Sequence, residues 1–277
     1  MPDIHPTAVV DPRAQIADDA VIGPLCLIGP HVKIGSQTRL LGQACITGHT
    51  TIGARNLIYP QVCLGAEPQD FGFAFGTLSY LRIGDGNFFR EGVTVHVGTK
   101  ADTETVIGND NFFMANSHVG HNCIIGNQVI MANCALMAGY VEVHDGCFIS
   151  GLTAVRQFCR IGRFAMMWGI SAISKDLPPF MIVNGRNGAI AGVNVVALRR
   201  RNFPAATINA LRLVHKVFFR GRRSVKKALD EVRESVPLLP EVEEFIKFVE
   251  TSSRGVLLGR DTRITGATPA AEDTPAE

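Results

Sequence analysis

The sequence predicts a mainly β protein, in which a solenoid of short parallel strands is followed by a C-terminal α-helical domain. The main observation is a period of six: an apolar anchor occurs at every sixth position from Ile4 to Leu64, and the same spacing later runs from Ile107 to Ile173. A six-residue unit fits neither an amphipathic helix nor the alternating strands of hairpins. It fits a prism of stacked coils, in which three units make one triangular coil and the anchors fill the interior.

A second column of residues supports this prediction. The fourth residue after an anchor usually has a small side chain that suits the tight space near a corner, and Gly or Asn is expected to relieve the corner dihedral angles. Four of the seven cysteines fall in this column and are interpreted as core filler: Cys26, Cys123, Cys147 and Cys159. An odd number of cysteines without a C-x-x-C pair argues against a disulfide framework and a zinc ribbon.

The period changes near the end of the chain. The hexads stop close to Ser174, the segment LPPF follows, and from Pro204 onward apolar residues occur at helical spacing. These changes divide the chain into a β-helix with two loop insertions, a connector, a helical domain and a disordered polar tail: residues 1–183 with insertions near 65–82 and 98–105, 184–203, 204–258 and 259–277.

Composition excludes several classes of protein. With 46% hydrophobic and 19% charged residues, the chain is not expected to be disordered. It has no run of about 18 apolar residues and no signal-peptide pattern at its start, so no integral membrane segment is expected. A cytoplasmic protein with reduced thiols is the simple interpretation. A net charge of +2 gives no reason to expect a nucleic-acid partner.

The most polar coil segment, NFFMANSHVGHNC, contains His118 and His121. His121 comes two residues after the anchor Val119, which places it at a corner facing outward, where it is available as a general base. A backbone N–H on the next coil, such as that of Gly139, could stabilise an oxyanion. The alternative is a polar turn residue without chemistry, which the spacing alone favours slightly.

Histidines on neighbouring coils raise a second alternative, a metal site. His96, His118 and His121 could bind zinc between subunits, as in the γ-class carbonic anhydrases, which have a similar repeat architecture. The H-x-x-H spacing of His118 and His121 is narrower than in those proteins. We therefore expect no metal and no other cofactor.

A cationic block lies at the start of the predicted helical domain. From Arg199 to Lys227 the sequence has ten Lys or Arg residues and no Asp or Glu. Such a block indicates an acidic partner, which could be nucleotide phosphates, an acidic carrier protein or an anionic membrane. A solvated helix face is the alternative, and the complete absence of acidic residues weakens it.

Several further motifs occur together in a specific order. They are GHTTIG at residues 48–53, PQD in the first insertion, SHVGHNC, QFCRIG, DLPPF and GVNVVALRRRNF. In these motifs and their spacing, residues 1 to about 258 resemble the acyl-carrier-protein–UDP-N-acetylglucosamine O-acyltransferases of lipid A biosynthesis. The resemblance implies a homotrimer with active sites between subunits. It also implies a left-handed parallel β-helix, an exception to the right-handed rule for parallel crossovers.

The same resemblance implies an activity and assigns roles. The family transfers a (3R)-3-hydroxyacyl group from acyl carrier protein to the sugar 3-hydroxyl, without an acyl-enzyme. By matching positions, His121 is the general base, the backbone of Gly139 forms the oxyanion site, and Gly169 is the acyl-chain ruler. Other positions match residues that contact substrate in the family: Gln69, Asp70, His118, Gln157, Asn194, Arg200 and Arg201.

The sequence also departs from the family around this site. Six positions differ: Gly72 (usually Lys), Val97 (Arg), Asn122 (Asp), Tyr140 and Arg156 (both His) and Trp168 (Gly). We count Asn122, Tyr140 and Arg156 among the candidate substrate-binding residues, and Trp168 with the candidate ruler. An acyltransferase of this fold with another nucleotide sugar or acyl donor therefore stays open as an alternative, as does a non-catalytic trimeric binding protein.

Overall fold

The computed structural model describes residues 1–184, 188–221 and 223–259. All of the predicted tail except Gly259 lies outside the described residues, and so does Arg222 of the cationic block. Within the described parts, the chain forms a parallel β-helix of short strands followed by helices.

The strands and helices, in chain order, are β1 (Asp3–Ile4), β2 (Val9–Val10), β3 (Gln15–Ile16), β4 (Val21–Ile22), β5 (Leu27–Ile28), β6 (Lys33–Ile34), β7 (Arg39–Leu40), β8 (Cys45–Ile46), β9 (His49–Ile52), β10 (Leu57–Ile58), β11 (Cys63–Ala66), β12 (Tyr80–Ile83), β13 (Phe88–Phe89), β14 (Thr94–His96), β15 (Glu104–Ile107), β16 (Phe112–Phe113), β17 (His118–Val119), β18 (Ile124–Ile125), β19 (Ile130–Met131), β20 (Leu136–Met137), β21 (Glu142–Val143), β22 (Phe148–Ile149), β23 (Ala154–Val155), β24 (Arg160–Ile161), β25 (Met166–Met167), β26 (Ala172–Ile173), β27 (Met181–Asn184), β28 (Ala189–Val193), α1 (Val195–Arg200), α2 (Ala205–Phe219), α3 (Val225–Ser235) and α4 (Pro240–Glu250).

Three sheets form the faces of the prism, because every third strand joins the same sheet. Sheet A has the order β1-β4-β7-β10-β13-β16-β19-β22-β25-β27-β28, sheet B has β2-β5-β8-β11-β14-β17-β20-β23-β26, and sheet C has β3-β6-β9-β12-β15-β18-β21-β24. Residues 18 positions apart therefore stack in the regular coils, as His118 does on Leu136. We name the edges of the prism by the sheets between which the chain turns: the A/B, B/C and C/A edges.

The anchors from Ile22 onward fill the interior as the period predicts, whereas Ile4 of the first coil is exposed and Val10 and Ile16 are partly buried. Leu40 and Ile46 are fully buried, and the rings of Phe89 and Phe113 stack with 4.9 Å between their centroids. The four cysteines of the small-residue column are buried too, as predicted. Burial raises the pKa of the Cys123 thiol to about 12, so this thiol stays protonated and unreactive.

The corners are less restricted to Gly and Asn than the sequence analysis expected. Leu25, Tyr140 and Phe158 adopt left-handed φ values of 57°, 59° and 64°. Each corner hydrogen-bonds to the corner of the neighbouring coil, so that the Tyr140 N–H donates to His121 O at 2.9 Å and the Phe158 N–H to Gly139 O at 3.2 Å. These stacked bonds hold a conformation that costs a bulky residue roughly 1–2 kcal/mol.

The last part of sheet A lies partly in the stretch that the sequence analysis assigned to a connector. β27 pairs in parallel with β25, and β28 returns antiparallel to β27. α1 follows directly, so residues 184–203 contain a strand and a helix. The antiparallel return has no hexad signature, which is why the period could not indicate it.

A buried carboxylate ties the helical domain to the last coils. Asp176 is fully buried and accepts hydrogen bonds from the Arg160 N–H at 2.8 Å, Arg160 Nε at 3.1 Å and Ser252 Oγ at 2.8 Å. Arg160 also donates from Nη2 to Phe248 O of α4, at 3.0 Å. The helices therefore have a fixed position on the solenoid, because a buried charge is stable only with such partners.

The outer faces of the three sheets differ in chemistry. The outward residues just before the anchors of sheet A are apolar from β10 to β25: Leu57, Phe88, Phe112, Ile130, Phe148 and Met166. Many of those of sheet B are apolar as well: Val9, Leu27, Leu136, Ala154 and Ala172. Sheet C instead has charged residues at several of these positions: Lys33, Arg82, Glu142 and Arg160.

Candidate functional site

Both insertions and most of the candidate residues lie on the B/C edge. The first insertion, residues 67–79, connects β11 to β12, and the second insertion, residues 97–103, connects β14 to β15. His121 lies at the next corner, between β17 and β18, and Tyr140 lies one coil further on. The stacking that builds the prism therefore brings together residues that are far apart in the sequence.

His121 occupies the predicted corner but is not open to solvent, as an outward-facing residue would be. Its side chain is only 8% exposed, because Tyr140 lies edge to face against the ring, 5.3 Å between centroids, and Asp70 of the first insertion faces it. Nε2 is 3.8 Å from Asp70 Oδ2, and Nδ1 is 3.1 Å from Asn122 Oδ1. The surroundings thus give this turn residue an enclosed position and a defined orientation.

The hydrogen bonds of Asn122 assign the tautomer of His121. The Thr99 N–H donates to Asn122 Oδ1 at 2.9 Å, and a backbone N–H can only donate, so the amide oxygen must be the atom that faces it. The same oxygen faces His121 Nδ1. Since this oxygen can only accept, Nδ1 carries the hydrogen of the neutral ring, and Nε2 keeps its lone pair. A general base requires such an available lone pair on a neutral ring.

Gly139 lies directly against the His121 ring. A Cβ atom at this position would come within 2.2 Å of His121 Cε1 and 2.3 Å of Nε2, so only glycine leaves the ring in place. Its carbonyl accepts from the Phe158 N–H, whereas its own N–H donates no backbone hydrogen bond to any residue that the structure describes. An N–H in this situation can stabilise an oxyanion that develops beside Nε2.

Two further histidines line the adjacent face of sheet B. His118 Nδ1 is 2.8 Å from Thr94 Oγ1, and its ring lies edge to face with His96, 4.8 Å between centroids. Burial, followed by the nearby histidines, lowers the pKa of His96 to about 4, and burial and His121 lower the pKa of His118. Both rings are therefore neutral near pH 7. No cluster of three His, Cys, Asp or Glu side chains suited to a metal ion occurs among the described residues.

The first insertion places polar residues beside His121. Gln69 and Asp70 are exposed, and Asp70 Oδ1 accepts from the Gly72 N–H at 2.8 Å while Oδ2 faces His121. Gly72 has no side chain at the position where the resemblance implies a lysine. Val97, at the start of the second insertion, is a buried apolar residue where the resemblance implies an arginine.

Tyr140, Arg156 and Gln157 continue the B/C edge beyond the base. The Tyr140 ring stacks on Phe158 with 4.9 Å between centroids, and its hydroxyl is 3.1 Å from Thr99 Oγ1. The side chains of Arg156 and Gln157 are exposed. Arg254, which follows the last helix, lies over the Phe158 ring and donates to Gln157 O at 3.0 Å. The C-terminal segment therefore supports this part of the edge.

The structure places three candidate residues elsewhere. Asn194 is buried at the start of α1, where Oδ1 accepts from the Ala197 N–H and Nδ2 donates to Phe164 O at 2.9 Å. Phe164 belongs to the C/A edge, between β24 and β25, and Arg201 lies over its ring at 5.9 Å. Arg200, the last residue of α1, is exposed. Within a single chain, these three residues therefore lie at a different edge from His121.

The candidate ruler lies on the remaining A/B edge. Trp168 and Gly169 follow β25, and the Trp168 side chain is 44% exposed. A Cβ at Gly169 would be 3.3 Å from Gly151 O of the preceding coil, so the space at this corner is tight. The ruler residues thus lie at the opposite side of sheet B from His121.

Sequence reasoning gave no role to Thr99 or to Arg254, which belongs to the F-x-x-x-S-S-R-G motif after the last helix. Thr99 bonds to both Asn122 and Tyr140, but in the sequence it is one of several threonines of the second insertion. Arg254 is separated from Phe158 by almost a hundred residues. Neither contact has a periodic signal, so only the folded chain reveals them.

The cationic block forms an exposed surface around α1 and α2. Six of its residues are exposed and lie on or directly after these helices: Arg199, Arg200, Arg201, Arg212, Lys216 and Arg220. Arg223 instead pairs with Glu231 of α3. None of the helices in the described residues is long and apolar enough to cross a membrane.

A β-helix of hexads with an enclosed and oriented histidine at one edge defines the class of the hexapeptide-repeat acyltransferases. The family model described as "bacterial transferase hexapeptide (six repeats)" matches residues 104–139. The family model described as "UDP N-acetylglucosamine O-acyltransferase; domain 2" matches residues 176–257. The chain belongs to the acyl-[acyl-carrier-protein]–UDP-N-acetylglucosamine O-acyltransferase family. A relative of that name from Thermodesulfovibrio yellowstonii is 44% identical over 92% of this chain and 99% of its own, and one from Stutzerimonas stutzeri is 41% identical over 91% and 98%.

Solved structures agree with this assignment. The UDP-N-acetylglucosamine acyltransferase of Francisella novicida superposes with a TM-score of 0.89 at 35% identity, over 93% of this chain and 95% of its own. The enzyme of Bacteroides fragilis also gives 0.89, at 36% identity, over 92% and 99%. The chain therefore has the left-handed parallel β-helix with C-terminal helices that the resemblance implies.

Proposed function

We propose that the chain transfers a (3R)-3-hydroxyacyl group from acyl carrier protein to the 3-hydroxyl of UDP-N-acetylglucosamine, the first step of lipid A biosynthesis. Relatives that match nearly the whole chain are named for this enzyme class. The observation that carries the proposal is the oriented His121, with Nδ1 held by Asn122 and Nε2 beside Gly139.

The chemistry needs only these groups. A sugar hydroxyl is a poor nucleophile near neutral pH, so Nε2 of His121 takes its proton while the oxygen attacks the thioester carbonyl. The Gly139 N–H stabilises the tetrahedral oxyanion. The C–S bond then breaks, the new C–O ester bond remains, and the imidazolium returns the proton to the departing thiolate of the carrier. No acyl-enzyme forms, and the buried cysteines take no part.

The nucleotide sugar requires groups from two edges of the prism. Asp70, half exposed beside His121, is suited to accept a hydrogen bond from a sugar hydroxyl, and Gln69, His118 and Gln157 lie on or near the same edge. Arg200 and Arg201, with their forked guanidinium groups, suit the diphosphate but lie at the C/A edge. A site within one chain would leave these two groups of residues apart.

A homotrimer resolves this separation. If the A/B edges of three chains meet at a threefold axis, the apolar face of sheet B in one chain covers the apolar face of sheet A in the next, and the charged sheet C faces solvent. The B/C edge of one chain then lies beside the C/A edge of its neighbour. His121 of one subunit would act together with the partner's Arg201 and the partner's Asn194.

The acyl donor is assigned to the rest of this interface. The acyl chain would extend from His121 between the apolar faces of sheets B and A, toward Trp168 and Gly169 at the A/B edge. The exposed cations of the block from Arg199 to Lys227 would attract the acidic carrier protein. A cytoplasmic location fits this function and the reduced thiols of the chain.

Product analysis tests the proposal. Acyl-carrier-protein donors of several chain lengths are incubated with UDP-N-acetylglucosamine and with a second UDP-sugar, and the products are identified by mass spectrometry. We expect the singly acylated UDP-N-acetylglucosamine. Product from the other sugar alone would favour the alternative substrate. The differences from the family at Gly72, Asn122 and Tyr140 are the reason to test it.

The His121→Ala variant tests the role of the base. We expect a loss of about 10²–10⁴-fold in kcat with binding of the nucleotide sugar retained. His5→Ala, which changes an exposed histidine near the start of the chain, serves as the matched control. Absence of any product in the wild type, with binding intact, would support the non-catalytic trimeric binding protein instead.

A further inference from the structure

Thr99 connects the second insertion to the base. We propose that Thr99 is a positioning residue, which acts through Asn122 as an uncharged clamp that keeps the Nε2 lone pair of His121 available for proton transfer. This inference rests on the proposed function, since it assigns a role in that reaction. Thr99 itself touches neither His121 Nε2 nor Gly139.

The clamp fixes the Asn122 amide without help from His121. Thr99 approaches Asn122 Oδ1 with two donors, its N–H at 2.9 Å and its hydroxyl at 3.0 Å. The backbone of Asn122 is fixed as well, because its N–H donates to Thr105 Oγ1 at 2.8 Å at a left-handed corner with φ of 57°. The amide oxygen is therefore held in place as an acceptor before the imidazole is considered.

Tyr140 extends the same network. Its hydroxyl is 3.1 Å from Thr99 Oγ1, and its ring lies against the ring of His121. Because the Thr99 hydroxyl has one hydrogen and donates it to Asn122, it accepts from the Tyr140 hydroxyl. The network then runs from Tyr140 through Thr99 to Asn122 Oδ1, which also accepts from His121 Nδ1.

The clamp selects a tautomer because the alternative one has no partner. If the proton moved from Nδ1 to Nε2, the Nδ1 lone pair would face the lone pairs of Asn122 Oδ1 at 3.1 Å, and Nε2 could no longer act as a base. Loss of the Thr99 hydroxyl would leave only the Thr99 N–H to hold this oxygen, so the amide would rotate more easily and present its NH₂ group to Nδ1. That rotation would favour the inactive tautomer.

The clamp carries no charge, and this determines its effect on pH dependence. The titratable groups that face His121 are Asp70 near Nε2, Tyr140 against the ring, and His118 and His96 on sheet B. No carboxylate among the described residues faces Nδ1. The imidazolium that forms during proton transfer therefore has a single countercharge, Asp70 on the Nε2 side, and the Nδ1 side offers only a neutral acceptor.

The experiment compares three variants by steady-state kinetics and by ¹⁵N NMR of the His121 ring. Thr99→Val removes the hydroxyl with little change of shape, and Thr99→Ser keeps it. Thr103→Val removes a hydroxyl from the same insertion that bonds to the backbone of Lys100. We expect Thr99→Val to lower kcat about tenfold with KM nearly unchanged, and the other two to stay near wild type. The NMR spectra should show the Nδ1–H tautomer in the wild type and a mixture in Thr99→Val.

Asn122→Asp tests the uncharged character directly. A carboxylate beside Nδ1 would stabilise the imidazolium, so the acidic limb of the pH profile of kcat/KM should move up by roughly 1–2 units. Equal kcat for Thr99→Val and Thr103→Val, a wild-type Nε2–H tautomer, or an unmoved acidic limb would each overturn the proposal. Because the NMR measurement needs no turnover, failure of the clamp is distinguishable from failure of the proposed reaction.

Discussion

In the interior of the β-helix one kind of contact repeats from coil to coil, as when Phe89 stacks on Phe113. At the B/C edge, equivalent positions of successive coils hold unlike residues: His121, Gly139 and Gln157 share one corner position in the 18-residue repeat. The interior therefore tolerates little variety, because every anchor must fill the same space. The edge keeps the same backbone and varies the side chains, so that in the proposed reaction one corner supplies the base and the next the oxyanion donor.

The largest expected effect is on the stability of the interior. Phe113→Ala removes a fully buried ring between stacked neighbours, and we expect the free energy of unfolding to fall by about 3–5 kcal/mol. Chemical denaturation measures this change, and Phe71→Ala, at a fully exposed phenylalanine, is the control. The activity per folded molecule should change little. A similar loss of stability in both variants would contradict the distinction between interior and edge.

At the B/C edge, a substitution is expected to lower activity more than stability. Gly139→Ala would place a methyl group within 2.3 Å of His121 Nε2 and force the ring away, whereas the backbone of Gly139 lies outside the left-handed region and accepts alanine. We expect kcat to fall about 10²-fold, because the imidazole is displaced while the N–H of residue 139 is kept, with only a small change in Tm. Gly192→Ala, where a methyl group meets no atom within 4 Å, is the matched control. Strong unfolding of Gly139→Ala with normal specific activity would refute the assignment.

The contrast between interior and edge also explains what the sequence could predict. The anchors and the buried cysteines follow from spacing, because interior contacts are periodic. The corner position of His121 follows as well, but its enclosure does not, since Asp70 and Tyr140 reach it only through the fold. The role of Thr99 depends on a contact with Asn122, which lies 23 residues away in the sequence. The role of Arg254 depends on a contact with Gln157, which lies 97 residues away. The antiparallel strand β28 lies after the hexads end and leaves no trace in their period.

A smaller effect tests whether the edges of neighbouring chains share a site. We expect low activity from two variants, His121→Ala and the double variant Arg200→Ala/Arg201→Ala. In the double variant the loss should arise chiefly from a KM for the nucleotide sugar that is raised about 10–100-fold. When the two kinds of chain are expressed together and mixed trimers are isolated, every mixed ring contains one interface with an intact His121 beside an intact arginine pair. Activity should therefore recover to about one third of wild type.

Homogeneous trimers of each variant, mixed only after purification, are the control for this recovery. If each site lies within a single subunit, a residue of one chain cannot replace the group that the neighbouring chain lacks. Mixed trimers with no more activity than the sum of their parents would therefore refute the shared site, while leaving His121 as the base of each subunit.

The smallest expected effect concerns the A/B edge, where Trp168 adds bulk beside Gly169. If the acyl chain ends against the indole, Trp168→Gly should shift the preference toward longer donors, by about fourfold in kcat/KM for each additional methylene that becomes buried. Rates with the shortest donors should stay almost unchanged, because the chemistry at the B/C edge is untouched. Ile170→Ala, an exposed residue of the same corner, is the matched control. A series of donors differing by two carbons measures the shift, and an unaltered chain-length preference would mean that the groove ends elsewhere and that Trp168 has no part in measuring the acyl chain.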